Sequence, residues 1–430
     1  VEISASGRLE VRITAADVGK RVSVRRRYAD AAHGEKFTDT VGVLTSWDGG
    51  VLTITRRTGE RVRISESSLV AAKVVPTAPA RRRGPAASYE ELVRVAARAW
   101  RPVESERLGD WELRAASGFT RRANSVLPLG DPGLPLDEAL TYVRGWYAAR
   151  GLPAYVQTAT GAEGTQELLC AELEARGWAR EVTAELWVGA LAPVGDREAP
   201  GVALSREADA AWLDRYQRKG LSEVALKVLM SGPSVWFATV PGAAGAAPAA
   251  IGRCVVDGRW AGFAAVEVDP AYRRQGLATA VMAALGRRAL DEGASAAWLQ
   301  VEADNAGARA LYGGMGFGAH HTYHHYRWTP DALAALSVSA IPVAPPGSAI
   351  PVAPLVPTDP AAPSVPADPA TPPVPTGPAA PSVPGDPDAS GVPVDPAALT
   401  GPGVPAALDD SAKARLAEAG MRRRDRYRSS

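Results

Sequence analysis

Two residue classes are nearly missing from this chain. Of 430 residues only two are cysteines, Cys170 and Cys254. Both lie in apolar stretches, which excludes a disulfide-stapled scaffold and fits a reducing cytoplasm. Aromatic residues make up 6% of the chain, with five phenylalanines, too few to interleave a basic nucleic-acid surface densely. The formal net charge is +1, so overall charge selects no partner. No apolar run approaches the roughly 18 residues of a membrane-spanning helix, and no basic-then-apolar leader opens the sequence as given. Glycine and proline are plentiful, at 42 and 36. The length leads us to expect two or three domains.

The most informative stretch runs from Val266 to Phe317. Residues 260–269 are apolar and β-prone and read as a buried strand, ended by Asp269-Pro270. Arg273-Arg274-Gln275-Gly276-Leu277-Ala278-Thr279 then opens a helix, with Leu277, Val281, Met282, Leu285 and Leu290 at helical spacing. A glycine at such a turn lets backbone approach a ligand closely. The first amides of a helix are unpaired and its dipole favours anions, so the turn suits a pyrophosphate. Taken alone, the same string is equally an ordinary turn and helix cap.

The segment beyond this helix tips the balance. Residues 298–302 read as another strand. Asn305 comes next, then Tyr312 on a short helix ending at Gly316-Phe317. Asn305 can hydrogen-bond an amide-bearing ligand arm, and Tyr312 can present a phenol to a leaving group. Glu267 and Glu302 are the candidates for a general base, directly or through water. The alternative for each is a solvated carboxylate at a strand end.

On these residues the chain resembles the GNAT superfamily of acetyl-CoA-dependent N-acetyltransferases. Arg273-x-x-Gly276-x-Ala278 matches its acetyl-CoA loop, and Asn305, Tyr312 and Gly316-Phe317 match its downstream helix. The resemblance implies that the amides of Gln275 to Thr279 hold the pyrophosphate. It implies that the backbone of Val266 and Val268 pairs with the pantetheine arm as an added strand would, and that Tyr312 protonates the departing thiolate. It also implies direct attack by an amine in a ternary complex, with no metal.

Elsewhere the chain divides by composition. Residues 1–76 read as a small all-β unit resembling the Src-homology-3 barrel, with strands around Val22 and Val24, at 40–46, 51–55 and 61–64, and turns at Asp48-Gly49 and Thr58-Gly59. Residues 1–83 hold 16 Lys and Arg against 9 Asp and Glu. That basic balance leaves nucleic acid, an acidic protein or mere solvation open. A linker at 77–87 is followed by Ser88-x-x-Glu91, a capping box that starts a helix.

Residues 88–195 then read as a worn copy of residues 196–330. Laying Gly177-Trp178 on Gly316-Phe317 gives an offset of 139, which puts Leu173 at the Tyr312 position and Leu-Pro-Leu-Asp at the glycine turn. The expected architecture is therefore α/β: tandem GNAT-like halves, the first degenerate, behind a β-barrel. One acetyl-CoA site is expected, not two. Together with Gly118–Val126, this organisation resembles an actinobacterial histone-acetyltransferase-like group. That resemblance implies a basic protein acceptor such as an HU-type nucleoid protein. A small-molecule amine, or a nucleoid or nucleic-acid binding protein with a regulatory GNAT domain, stand as alternatives. Arg122 and Asn124 either line an acceptor cleft or cap a bulge.

Four of the five histidines fall in His320-His321-Thr322-Tyr323-His324-His325. Strand packing is the default reading for them, with a base or pH sensor near the acceptor, or a metal site on histidines two apart, as the alternatives. Residues 331–405 are rich in proline and alanine. From Pro342 to Pro405, 19 of the 22 positions in steps of three are proline, the period of polyproline II. This segment is expected to be a disordered spacer. Residues 406–430 complete the chain as a short basic helix or tail.

Overall fold

The computed structural model describes residues 10–30, 34–76, 84–216, 222–244 and 246–329. The expectations for residues 77–83 of the linker, the proline-rich segment and the basic tail lie outside the described residues.

The first unit is all-β. β1 (Arg21–Asp30), β2 (Gly34–Asp48), β3 (Val51–Thr55), β4 (Arg61–Ser65) and β5 (Leu69–Val74) form an antiparallel sheet in the order β4-β3-β2-β1-β5. Alternation sends Val22, Val24, Leu52 and Ile54 inward, where they meet Ile13, Leu44 and Ile64. Strand β5 escapes a reading by alternation because Leu69, Val70 and Ala71 are all half-buried in succession. The Arg56–Gly59 turn docks this unit on the rest of the chain. Arg57 donates to the carbonyls of Ala319 (2.7 Å) and His320 (2.8 Å), and Arg61 pairs with Glu174 at 2.7 Å.

Next come α1 (Tyr89–Arg98), β6 (Glu104–Leu108), β7 (Trp111–Ala115), β8 (Leu127–Pro128), α2 (Leu136–Ala148), β9 (Tyr155–Thr160), α3 (Glu167–Ala175) and β10 (Trp178–Ala190). Helix α1 starts where Ser88 Oγ accepts the Glu91 amide at 3.0 Å. The other arm of the expected capping box is diverted. The Glu91 carboxylate instead accepts from Trp260 Nε1 and Arg259, both at 2.8 Å, tying α1 to the far half of the chain.

The second half continues with α4 (Ala192–Gly195), β11 (Ala203–Ser205), α5 (Ala210–Arg215), α6 (Glu223–Leu229), β12 (Ser234–Val240), β13 (Ala250–Asp257) and β14 (Trp260–Val268). It ends with α7 (Leu277–Asp291), β15 (Ala296–Glu302), α8 (Ala306–Gly314) and β16 (Gly318–Trp328).

The two halves share one sheet, in the order β11-β12-β13-β14-β15-β10-β16-β9. Strand β10 comes from the first half but lies between β15 and β16 of the second. Strand β16 in turn reaches β9 of the first. The strand order thus crosses the boundary expected at 195/196. The internal copy shows in the helices: α3 and α8 are nine residues each and coincide at an offset of 139. One face of the sheet is covered by α7, α4 and α8 around Val281, Met282, Leu285 and Phe317. The other is covered by α1, α5 and α6 around Leu92, Trp100, Trp212 and Trp298.

Candidate active site

The site begins at a fork in the sheet. β14 and β15 run parallel and pair from Trp260↔Ala296 to Phe263↔Leu299, and there the pairing stops. Beyond it β14 stays bonded to β13 as far as Val268, and β15 stays bonded to β10 as far as Glu302. The edge of β14 that faces β15 is therefore open from Ala264 to Val268.

A bulge produces the divergence. Ile251 faces Glu267 and Arg253 faces Ala264, so Ala265 and Val266 together oppose the single residue Gly252. Ala265 takes a left-handed φ of 51°, strained for a residue with a Cβ. Gly252 lets α7 press close behind the bulge, since a Cβ there would lie 2.3 Å from Val281 Cγ1. The bulge also sorts the side chains. Val266 and Val268 pack with the α7-side core, whereas Ala264 and Ala265 pack with the α1-side core. Alternation then turns Glu267, which is half-buried, toward the α1 side.

Past β14, Asp269 Oδ1 accepts the Ala271 amide at 2.8 Å, and the Asp269 carboxylate pairs with Arg215 at 2.5 Å. The chain then turns through exposed Arg273, Arg274 and Gln275 to Gly276, the N-cap of α7. Gly276 has a φ of 80°, and nothing lies within 4 Å of where its Cβ would be. The backbone ladder of α7 starts with the Ala280 amide on Gly276 O at 3.0 Å. The amides of Leu277, Ala278 and Thr279 precede that rung and have no intrahelical partner. An unobstructed glycine, a free first turn and an open strand edge fit a diphosphate carrying an amide-bearing arm.

Tyr312 packs on the same core cluster as Val266, Val268 and Leu277 and lies edge-on to Phe317, with ring centroids 6.3 Å apart. Burial alone raises its pKa, so the phenol keeps its proton through neutral pH. No hydrogen bond to its hydroxyl is found among the described residues. Asn305 is exposed and is the N-cap of α8, its Oδ1 accepting the Ala308 amide at 3.0 Å. Its oxygen is committed to the helix, and its amide nitrogen is what it offers a ligand. Glu302 is exposed at the end of β15.

Opposite the fork, on the α1 side, lies a pocket of about 190 Å³ that the sequence alone does not assemble. Arg122, Gln300, Glu302, Tyr323 and His325 line it. Arg122 donates to Gln300 Oε1 at 2.5 Å and lies over the Trp100 ring, 4.5 Å from its centroid. Asn124 has a different task. Its Oδ1 accepts the amides of Ala116 and Gly118, and its Nδ2 donates to the carbonyls of Phe119 and Thr120. It thereby holds the loop that presents Arg122. Gln300 carries no signal in the sequence, because its role depends on a partner 178 residues away.

The histidines divide differently from simple alternation. Leu186 faces His321 but Trp187 faces Ala319, so His320 is a bulged residue. It swings to the α1 side, where its Nδ1 meets His321 Nδ1 at 3.0 Å and its Nε2 meets Ala87 O at 3.0 Å. His324 lies between the hydroxyls of Thr160 and Thr183, at 3.0 Å from each. Burial pushes His321 and His324 down to about 3, and the His325 pKa also falls well below its usual value. All three are therefore neutral at physiological pH. Cys170 and Cys254 are buried free thiols raised by burial to about 11 and about 12, which makes them packing residues and not nucleophiles.

In the first half, residues at the same offset enclose a groove of about 650 Å³ lined by Trp111, Pro128, Leu134, Leu136, Gln166 and Leu168. There Pro135 is the N-cap of α2 where the second half has Arg274, and Leu173 stands for Tyr312. The groove has lost the glycine turn and the phenol.

Two family models match the chain, at residues 16–73 and 87–327. The family model described as "Probable histone acetyltransferase Rv0428c C-terminal" matches residues 87–327. The model described as "Rv0428c N-terminal Sm-like domain" matches residues 16–73, over the small all-β unit. The "Probable histone acetyltransferase Rv0428c" of Mycobacterium tuberculosis (strain ATCC 25618 / H37Rv) is 30% identical over 315 residues, covering 73% of this chain and 95% of that protein. The "Uncharacterized N-acetyltransferase YobR" of Bacillus subtilis (strain 168) is 27% identical over 247 residues, covering 55% of this chain and 97% of that protein. Among solved structures, a GCN5-related N-acetyltransferase from Kribbella flavida aligns with a TM-score of 0.43 at 17% identity, covering 58% of this chain and 99% of that one.

Proposed function

This chain belongs to the family described as probable histone acetyltransferase Rv0428c, a group of GNAT-type N-acetyltransferases, and on that premise we propose that it moves the acetyl group of acetyl-CoA directly to a primary amine. The observation that carries the proposal is the fork: an open β14 edge ending in a glycine-capped helix, with Tyr312 packed on the same core.

The open edge of Val266 and Val268 hydrogen-bonds the pantetheine amides as an added strand would. The amides of Gln275 to Thr279 hold the diphosphate, with Arg273 and Arg274 beside it. Asn305 offers its amide nitrogen to the same arm. The acetyl group then lies in the fork, where an amine entering from the α1 side meets it. Glu302 or Glu267, both turned to that side, takes the ammonium proton directly or through water. The nitrogen lone pair forms the new C–N bond, the C–S bond breaks, and the Tyr312 phenol gives its proton to the leaving sulfur. Holding both reactants in one complex supplies most of the acceleration.

The preferred acceptor is a protein lysine, of the histone-like or HU type, and the relative's printed name supports it. A nucleic-acid role has less support, because Arg57 and Arg61 of the basic unit are spent on contacts within the chain. The test is thiol release from acetyl-CoA with a panel of lysine peptides, HU-like proteins and small amines. Release that requires an amine supports the reading. Acetyl-CoA that is bound but never consumed with any amine contradicts it.

A further inference from the structure

The wall of the pocket on the α1 side of the fork carries Glu302, Arg122 and Arg121, the last of which pairs with Glu181 at 2.9 Å. Glu302 stands where β15 ends, and Arg122 is carried there by the Arg121–Ala123 turn of the worn half. Among the described residues no carboxylate pairs with Arg122, and its one hydrogen bond, from Nη1 to Gln300, leaves Nε and Nη2 available. Its Cζ lies over the Trp100 ring, which limits its movement. A fixed guanidinium with two free donor nitrogens matches a carboxylate.

His325 is the independent sign that something polar belongs in this pocket. It is 2% exposed, and neither ring nitrogen has a hydrogen-bond partner among the described residues. A buried polar group left unpaired is costly. The rings of Tyr323 and Tyr155 lie T-shaped to it, with centroids 5.8 and 6.4 Å away.

We infer that this pocket selects an acceptor whose reacting amine travels with a carboxylate, the amine set against Glu302 and the carboxylate against Arg122, with His325 hydrogen-bonding the stem between them. The inference rests on the acetyltransferase reading and narrows its acceptor. The worn half, having lost its own glycine turn, contributes the specificity-determining residue of the other half. Free amino-acid-like amines and lysines with an acidic neighbour share this chemistry. Within a histone-like or HU-type protein, the pocket therefore selects a lysine with an acidic neighbour over one embedded in basic sequence.

The experiment measures kcat/KM for thiol release from acetyl-CoA by the full chain with two matched pairs. One pair is Nα-acetyl-lysine and its carboxamide. The other is a capped Gly-Lys-Glu-Gly peptide and its Gly-Lys-Gln-Gly counterpart. In at least one pair the carboxylate member is favoured about tenfold or more, as one charge-assisted contact provides, and which pair responds identifies the source. Arg122→Gln brings that ratio to near one, whatever it does to the overall rate, and Arg122→Lys restores part of it. The melting temperature verifies that each variant is folded. Equal use of both members by the wild type, or a preference that survives Arg122→Gln, overturns the inference and leaves the transferase reading standing. Release with neither member of either pair, nor with any other amine, overturns both.

Discussion

Phe263 and Leu299 face each other across the last rung of the one parallel pair among the described strands. Everything assigned to the site depends on the absence of a next rung. A sheet that stayed zipped would pair the edge of Val266 and Val268 with β15 and leave no place for an acyl group. The bulge at Ala265 and the packing of α7 behind Gly252 hold the strands apart.

Gly252→Val should therefore be felt strongly. The added side chain meets Val281 at sub-contact distance. Overpacking of this kind costs about 1–3 kcal/mol, read as a lower denaturant midpoint. Acetyl-CoA affinity should fall with it, because α7 carries the diphosphate turn.

Gly276→Val probes the turn itself. The site is roomy but its φ of 80° is left-handed, which costs a β-branched residue about 1–2 kcal/mol. The new side chain would also stand where the diphosphate approaches. We expect Kd for acetyl-CoA to rise about tenfold or more, with a loss of stability no larger than the strain. Unchanged affinity by calorimetry would remove the turn from the site.

Tyr312→Phe should lower kcat by about a hundredfold while leaving acetyl-CoA affinity and the melting temperature close to wild type, because no described residue depends on the hydroxyl. Burial raises the Tyr312 pKa. An acid is active while protonated, so activity persists below the raised pKa and is lost as pH climbs through it. The alkaline limb of the kcat profile should accordingly lie above pH 10, and Tyr312→Phe should abolish that limb.

The local parts of this site are legible in the sequence because they depend on near neighbours. The Arg273–Thr279 turn, the cap at Asn305 and the spacing to Tyr312 each lie within a few residues of chain. The internal offset is legible too, since Gly177-Trp178 and Gly316-Phe317 close equivalent helices. The strand exchange is not. Nothing local marks β10 as the neighbour of β15, and its pairing is decided by contacts more than a hundred residues apart. The same holds for the α1-side pocket, where Arg122 meets Gln300 only after the halves have traded strands. The histidine strand departs from alternation at one position, because a bulge at His320 is a property of the pair and not of the strand.

Acid should unfold this protein partly through its histidines. His321 and His324 have folded pKa values of about 3, below the value of about 6.5 in the unfolded chain. The unfolded state binds more protons between those limits. Stability is full above about pH 6.5 and falls as pH drops toward 3, by up to about 1.4 kcal/mol per unit for each histidine. His324→Gln, which keeps a polar group near Thr160 and Thr183, should flatten the slope of unfolding free energy against pH in that window. An unchanged slope would place the proton uptake elsewhere.

The forked sheet of the second half should hold acetyl-CoA, and its worn copy should not. Titration calorimetry of acetyl-CoA into the full chain measures this directly. One acetyl-CoA per chain is the expected result, with its binding weakened by Gly276→Val. Two per chain, or one whose affinity is indifferent to Gly276→Val, would contradict it.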